Sequence, residues 1–159
     1  MPERTQAFVV LPGEGSTMRG PVGGPLAIKA TGDDTSGSFF LFENVVQPGE
    51  GPPLHLHLDT DESWYVVEGQ LRFKLEDAIQ SVPAESFVFV PRGTRHCFQN
   101  VGTGPARILV MFTPAAMENF FRAHASLPPG QVDLETFRQL GLAHGMEVVG
   151  PPLAVSDPI

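Results

Sequence analysis

Short runs of β-branched and aromatic residues fill the chain from Gln6 to about Phe112, interrupted at short intervals by Gly, Pro, Asp and Asn. The runs are Phe8-Val9-Val10-Leu11, Leu26 to Ala30, Phe39 to Phe42, Trp64 to Val67, Leu71 to Leu75, Phe87 to Val90 and Arg107 to Met111. Many short strands with regular turns predict an all-β sandwich or barrel. The links Gly32 to Gly37, Glu68-Gly69-Gln70 and Asn100 to Pro105 are turn-forming and too short for a crossover helix, so the strands pair antiparallel. After Phe112 the period changes. Thr113-Pro114 reads as an N-cap with Pro at the first helical position, followed by Met117, Phe120, Phe121 and His124 at helical spacing. Asp133 caps a second helix running to about Gly141, with Leu134, Phe137 and Leu140 on one face. The Pro-rich stretch from Gly145 to Ile159 reads as an extended strap. The expected organisation is a β-barrel over 1–112, with 113–159 as C-terminal helices and an extended tail packed on it.

Composition narrows the function. The chain has 159 residues, enough for one domain with one core. It carries 18 acidic against 10 basic residues, a net charge of −8, and its only lysines are Lys29 and Lys74, so it lacks the basic face of a nucleic-acid binder. Cys97 is the only cysteine, which leaves no intrachain disulfide and no cysteine-rich zinc cluster. Any metal must be held by His and carboxylate. No run approaches the roughly 18–20 apolar residues of a membrane span. Met1 to Gln6 shows no basic region leading into an apolar run, so a cytoplasmic protein is expected.

The stretch Gly49 to Gly69 carries the informative residues. His55 and His57 are two apart in a strand, so both leave one face with Cα atoms about 6.6 Å apart and can converge on one ion. Asp59-Thr60-Asp61 reads as a turn, after which Glu62 can return across from the pair. A fourth donor is His96. Pro91-Arg92-Gly93 bends the chain before it, and His96, Phe98 and Asn100 share one face while Cys97 and Gln99 take the other. A single histidine in a β protein is ordinarily a surface or satisfied core residue; three of five in two strand-like segments, with a carboxylate, make a metal-ligand pattern. His124 and His144, on the helices, keep the ordinary reading, and Cys97 reads as a small buried hydrophobe.

Gly49 to Gly69 resembles the first motif of the cupin superfamily, G-x5-H-x-H-x4-E-x6-G, at every fixed position. Glu85 to Asn100 resembles the second, G-x5-P-x-G-x2-H-x3-N, except that Glu85 stands where the family has Gly. The resemblance implies an antiparallel jelly-roll β-barrel, here with a short C-terminal helical appendix. It also implies one divalent transition metal bound inside by His55, His57, Glu62 and His96, in a homodimer. The C-terminal part is similar to small cupins of the quercetin dioxygenase-like type. Three neutral imidazoles and one carboxylate around a divalent ion leave a net charge of about +1, suited to an anionic oxygen donor. Fe, Mn, Co, Ni, Cu and Zn all suit such a donor set.

Twelve aromatic residues are Phe, against one Trp and one Tyr. Phe39, Leu41, Trp64, Phe73, Phe89, Phe98 and Phe112 are the expected pocket wall, with Phe87 on the same alternation; the alternative is that they are simply core. Such a wall offers π-faces and few hydroxyls, which fits an apolar or aromatic small molecule better than a sugar. No cationic cluster suited to phosphate accompanies it: Arg92 and Arg95 sit at the turn before His96, and Arg72 and Lys74 share a strand face expected to meet solvent. The leading expectation is a metal-dependent, dioxygenase-like oxidoreductase acting on an enol or hydroxy-aromatic substrate, with Glu62 accepting the substrate's hydroxyl proton. A non-catalytic ligand-binding protein and an oxygen-independent isomerase or lyase are the alternatives.

Overall fold

The computed structural model describes residues 5–159; residues 1–4, the start of the stretch read above for a targeting signal, lie outside the described residues. The strands are β1 (Thr17–Met18), β2 (Leu26–Ala30), β3 (Phe40–Val46), β4 (Pro53–His57), β5 (Asp61–Glu68), β6 (Gln70–Leu75), β7 (Ala78–Pro83), β8 (Phe87–Val90), β9 (His96–Asn100), β10 (Ala106–Thr113) and β11 (Met146–Pro152). The helices are α1 (Glu118–Ala125), entered through a 3-10 turn at Ala115–Met117, then α2 (Leu134–Ala143) and α3 (Leu153–Ser156). One sheet has the order β1-β2-β3-β10-β5-β8 and the other β11-β4-β9-β6-β7, with every pairing antiparallel. This is a jelly roll, two sheets burying their inner faces against each other.

Alternation builds the core. In β2, β3 and β10 every second residue is buried, so Leu26, Ile28, Phe40, Phe42, Val46, Ile108, Val110 and Phe112 turn inward. β9 departs from alternation, with all five residues buried. Its outer face lies under the end of the chain, where Arg72 donates to Gln99 Oε1 and to the Leu153 and Asp157 carbonyls, and Lys74 pairs with Asp157. Arg72 and Lys74 are therefore half-buried, not the solvent-facing pair the sequence suggested.

Several expectations need correcting. Phe8 to Leu11 is not a strand, and Phe8, Val9 and Leu11 are exposed. Thr113 ends β10 and does not cap the first helix; Pro114 holds the N-cap position of the 3-10 turn. Asp133 does cap α2, accepting a hydrogen bond from the Thr136 N–H at 2.8 Å. Residues 146–152 are extended within the sheet, as edge strand β11 on β4, and Leu153 to Ser156 turn helical. An edge position tolerates the prolines that made this stretch look like a strap.

Glu85 shows how the chain keeps a turn without the family's glycine. Its φ is +68°, in the left-handed region, and its N–H donates to the Val66 carbonyl at 2.7 Å, pinning the β7–β8 turn to β5. A non-glycine residue there costs on the order of 1–2 kcal/mol, partly offset by glycine's larger unfolded-state entropy. Glu85→Gly is expected to stabilise the fold by about 1 kcal/mol and raise the thermal midpoint by about 2–4 °C in scanning calorimetry. An unchanged midpoint would mean that the strain is no larger than the entropy glycine adds to the unfolded chain.

Candidate metal centre

His55 and His57 lie on β4 and are buried at 7% and 3% exposure. The turn over residues 58–60 carries the chain from one sheet to the other, so Glu62, second in β5, faces the histidines across the interior. His96 opens β9 and is the direct cross-strand partner of His55. Two loop ties hold this register. The Gly93 N–H donates to the His57 carbonyl at 2.7 Å, and the Asp61 carboxylate takes the Arg92 N–H and Nε at 2.9 and 3.1 Å. Gly51 is required for a similar reason, since a Cβ there would sit 1.8 Å from the Phe98 carbonyl oxygen. Asn100 serves the turn after β9, donating to the Val46 and Gly104 carbonyls and accepting from Gly102.

The four expected ligands converge. One donor atom from each of His55, His57, Glu62 and His96 lies within 4.8 Å of all the others, and all four residues are buried. Glu62 Oε2 meets His57 Nε2 at 2.8 Å and His96 Nε2 at 2.9 Å. The Nδ1 atoms of His55 and His96 lie 2.7 and 2.8 Å from the Pro53 and Thr94 carbonyls. Carbonyls only accept, so Nδ1 carries the proton in both rings and Nε2 presents its lone pair to the centre. Metal-bound histidines adopt this arrangement.

His96 supplies the test of fit. Both of its nitrogens face acceptors, yet a neutral imidazole has one N–H, so with Glu62 ionised the contact calls for a cation, either a second ring proton or a metal ion. The donor set thus fits a divalent transition ion. Burial pushes Glu62 toward its neutral form, but the His57 and His96 contacts outweigh that and hold its carboxyl down at about 2. His55 is held well below the usual imidazole range, first by burial and then by the neighbouring His96 and His57, so it stays neutral with its lone pair available.

The centre opens onto an internal cavity of about 60 Å³ with an apolar wall. Of the expected wall residues, Trp64, Phe98 and Phe112 line it, and Phe73 is fully buried in the adjoining core without lining it. Phe39, Leu41 and Phe89 do not. Phe40 and Phe42 take the inward positions of β3, which turns Phe39 and Leu41 to the half-buried side. In β8, Val88 and Val90 pair inward opposite Trp64 and Glu62, leaving Phe87 and Phe89 exposed. The sequence reading missed Phe42, Asn44, Phe120 and Phe121, all of which line the cavity. Glu43 was the available signal for β3: a charged residue on the odd register marks that register as the outer one.

The remaining candidates lie elsewhere. His124 is buried on α1, and burial, then Arg19, lowers its pKa. His144 is the C-cap of α2. Cys97 is fully buried on the outer side of β9, where burial pushes its thiol up to about 11, so it is neither a ligand nor a ready nucleophile.

The fold and the site together define a jelly roll with an internal three-histidine, one-carboxylate centre. A family model described as the cupin domain matches residues 42–112, the span that holds all four donors, so these residues carry a cupin domain. The tetracenomycin polyketide synthase protein TcmJ of Streptomyces glaucescens is 34% identical over 82 residues, 52% of this chain and 54% of that protein. The polyketide synthase CurC of Streptomyces cyaneus is 33% identical over 92 residues, 58% of this chain and 56% of that protein. The chain thus spans about half the length of these curated relatives. A crystal structure from Thermotoga maritima, described as a predicted oxalate decarboxylase, superposes with a TM-score of 0.61 at 18% identity, over 67% of this chain and 99% of that one. At that identity the likeness concerns the fold alone.

Proposed function

We propose that this chain binds one divalent transition metal through His55, His57, Glu62 and His96, and oxidises a small enol or hydroxy-aromatic substrate with dioxygen. The observation that carries the reading is the convergence of His57 Nε2 and His96 Nε2 on one Glu62 oxygen, with the His96 contact calling for a cation, at the end of a cavity walled by Trp64, Phe98 and Phe112. The polyketide synthases among the relatives support an enolisable, oxygen-rich substrate. When bound, a divalent transition ion supplies Lewis acidity toward an enolate oxygen and redox access to dioxygen.

The protein's own part is positioning and proton transfer. The apolar wall excludes water and stacks a planar ring. Both contacts of Glu62 use Oε2, and among the described residues Oε1 has no hydrogen-bond partner, so Oε1 is the atom that takes the substrate's hydroxyl proton. The enolate then provides the electrons, dioxygen is the oxidant, and both its atoms end in the product, so no external reductant is consumed.

The test is oxygen uptake by protein reconstituted with each of Fe, Mn, Co, Ni, Cu and Zn, against catechols, 1,3-diketones and flavonols. One oxygen consumed per substrate is expected, with Glu62→Gln slowing turnover by about 10²–10⁴-fold, the range of a lost general base. Turnover without oxygen uptake would transfer the same proton chemistry to an isomerase or lyase. Tight binding without turnover would make the protein a ligand carrier.

A further inference from the structure

The chamber beside the centre is closed. Its volume of about 60 Å³ has room for a few waters, whereas sites for small molecules run to about 300–1,000 Å³, so any substrate must first part the wall. Most of that wall is strand, hydrogen-bonded into the two sheets; the rest comes from Pro52, the loop at 21–22, the 3-10 turn with α1, and Phe137 of α2. The loop and α1 are tied down. The Val22 carbonyl accepts from Asn44 Nδ2 and the Gly24 N–H donates to the Val45 carbonyl, both at 2.9 Å. On α1 the Glu118 carboxylate takes the Gly32 N–H at 2.6 Å, and the Arg19 guanidinium donates to the His124 and Leu127 carbonyls at 3.2 and 2.6 Å.

The helix α2 is held differently. Gly141 is its one buried residue, Phe137 and Leu140 are half-buried, and the others are exposed. Among the described residues, every hydrogen bond of α2 lies within 133–144. The helix leans on the barrel by apolar contact alone. Phe137 meets Phe120 edge-on with centroids 5.7 Å apart, and Gly141 sits so close to β11 that a Cβ there would come 2.9 Å from the Met146 carbonyl oxygen. Its two ends differ. Just past the C-terminal end the Gly145 carbonyl accepts from the Leu58 N–H at 2.8 Å, and Met146 enters β11. The N-terminal end hangs from residues 129–132, which make no hydrogen bond among the described residues. Phe137 also stands between two spaces: with Pro21 and Val22 it lines both the chamber and an outer hollow of about 520 Å³. Because Val22 is tied to β3, the Phe137 side of that partition is the side free to move.

We infer that Phe137 is the gate of the chamber and α2 the lid that carries it. The helix swings about its tied end at Gly141 to Met146, the Phe137 ring leaves Phe120, and chamber and hollow become one space of small-molecule size. The inference rests on the proposed site only in that a substrate must enter it; neither the metal nor the reaction is needed.

Trp64 is the chain's only tryptophan and lies in the chamber wall, so its fluorescence reports entry. The experiment is acrylamide quenching of the metal-free full chain, in which a neutral quencher must enter the chamber to reach a residue only 2% exposed. Phe137→Ala is expected to raise the quenching rate constant about tenfold, because losing a half-buried ring weakens the closed form by that order. Leu142→Ala, at an exposed position on the same helix, is expected to leave it unchanged. A Phe137 that only packs would lower the thermal midpoint without admitting the quencher, so equal quenching in all three proteins would overturn the gate, and so would an equal rise in both variants. Hydrogen exchange of the unsubstituted chain decides the matter if Phe137→Ala does not fold. A ten-residue helix off the barrel is too short to keep its hydrogen bonds in water, so α2 amides are expected to exchange at least about tenfold faster than those of α1. Equal protection of the two helices would overturn the lid. Neither readout involves an ion, so failure of the metal centre would show separately, in metal binding, and leave both results standing.

Discussion

His57→Ala is expected to leave a folded, β-rich protein that no longer retains its metal. His57 supplies one of four donors, and losing a residue that merely orients a ligand already costs about 10–100-fold in affinity, so losing a donor costs more. Its backbone work survives the change: the His57 carbonyl still accepts from Gly93, and the pairing of His57 with Met146 in β11 is main-chain. The other two imidazoles are held by the Pro53 and Thr94 carbonyls, whereas His57 Nδ1 is buried with no partner, and its ring is placed by Glu62 and by an edge-on contact with Phe112 at 5.3 Å between centroids. Removing it therefore deletes a donor without releasing the other two. His124→Ala, a change at a buried histidine outside the centre, is the control. Element analysis after dialysis should find metal in the parent and the His124 variant and little in the His57 variant. Equal metal in all three would sink the four-donor centre.

The centre was legible because its residues are few, polar and fixed in spacing. Two imidazoles in i, i+2 relation must share a face, and a turn of three residues suffices to bring Glu62 back. The wall was less legible, because face assignment in a strand turns on a single register choice. Phe39-Phe40-Leu41-Phe42 offers apolar residues on both faces, and only Glu43, further along, breaks the tie. Glu43 and Asn44 are adjacent polar residues of which one must face inward, and short-range pattern alone does not say that it is the amide. In β8 a Phe/Val alternation is apolar in both registers, and pairing with β5 decides it. The helix α1 was expected from its period, yet its role was not: Phe120 and Phe121 reach into the cavity and help to wall it. β11 escaped notice because its prolines signal a strap, and only its pairing with β4, the strand of His55 and His57, makes it part of the candidate centre's scaffold.

Acid should unfold the metal-free protein in two overlapping stages, with stability falling as pH falls. His55 comes first. Its folded pKa lies well below the unfolded 6.5, so below about pH 6.5 the unfolded chain binds a proton that the folded chain refuses. Glu62 follows. Its folded pKa of about 2 against an unfolded 4.5 means that its contribution is whole above about pH 4.5 and is lost as pH falls toward 2. For a buried group a difference of that size corresponds to on the order of 3 kcal/mol. Urea midpoints of chelator-treated protein between pH 8 and 3 should therefore be level at the alkaline end, decline from about pH 6.5 and steepen below 4.5. Glu62→Gln should abolish the steeper part and keep the earlier decline, since the amide does not titrate and His55 remains buried. A midpoint unchanged from pH 7 to 5 would show that His55 protonates freely in the folded state. Saturating zinc should move the start of the decline to lower pH, because bound metal competes with protons for the same imidazole lone pairs and stabilises only the folded chain. If zinc leaves the profile in place, the histidines are not its ligands.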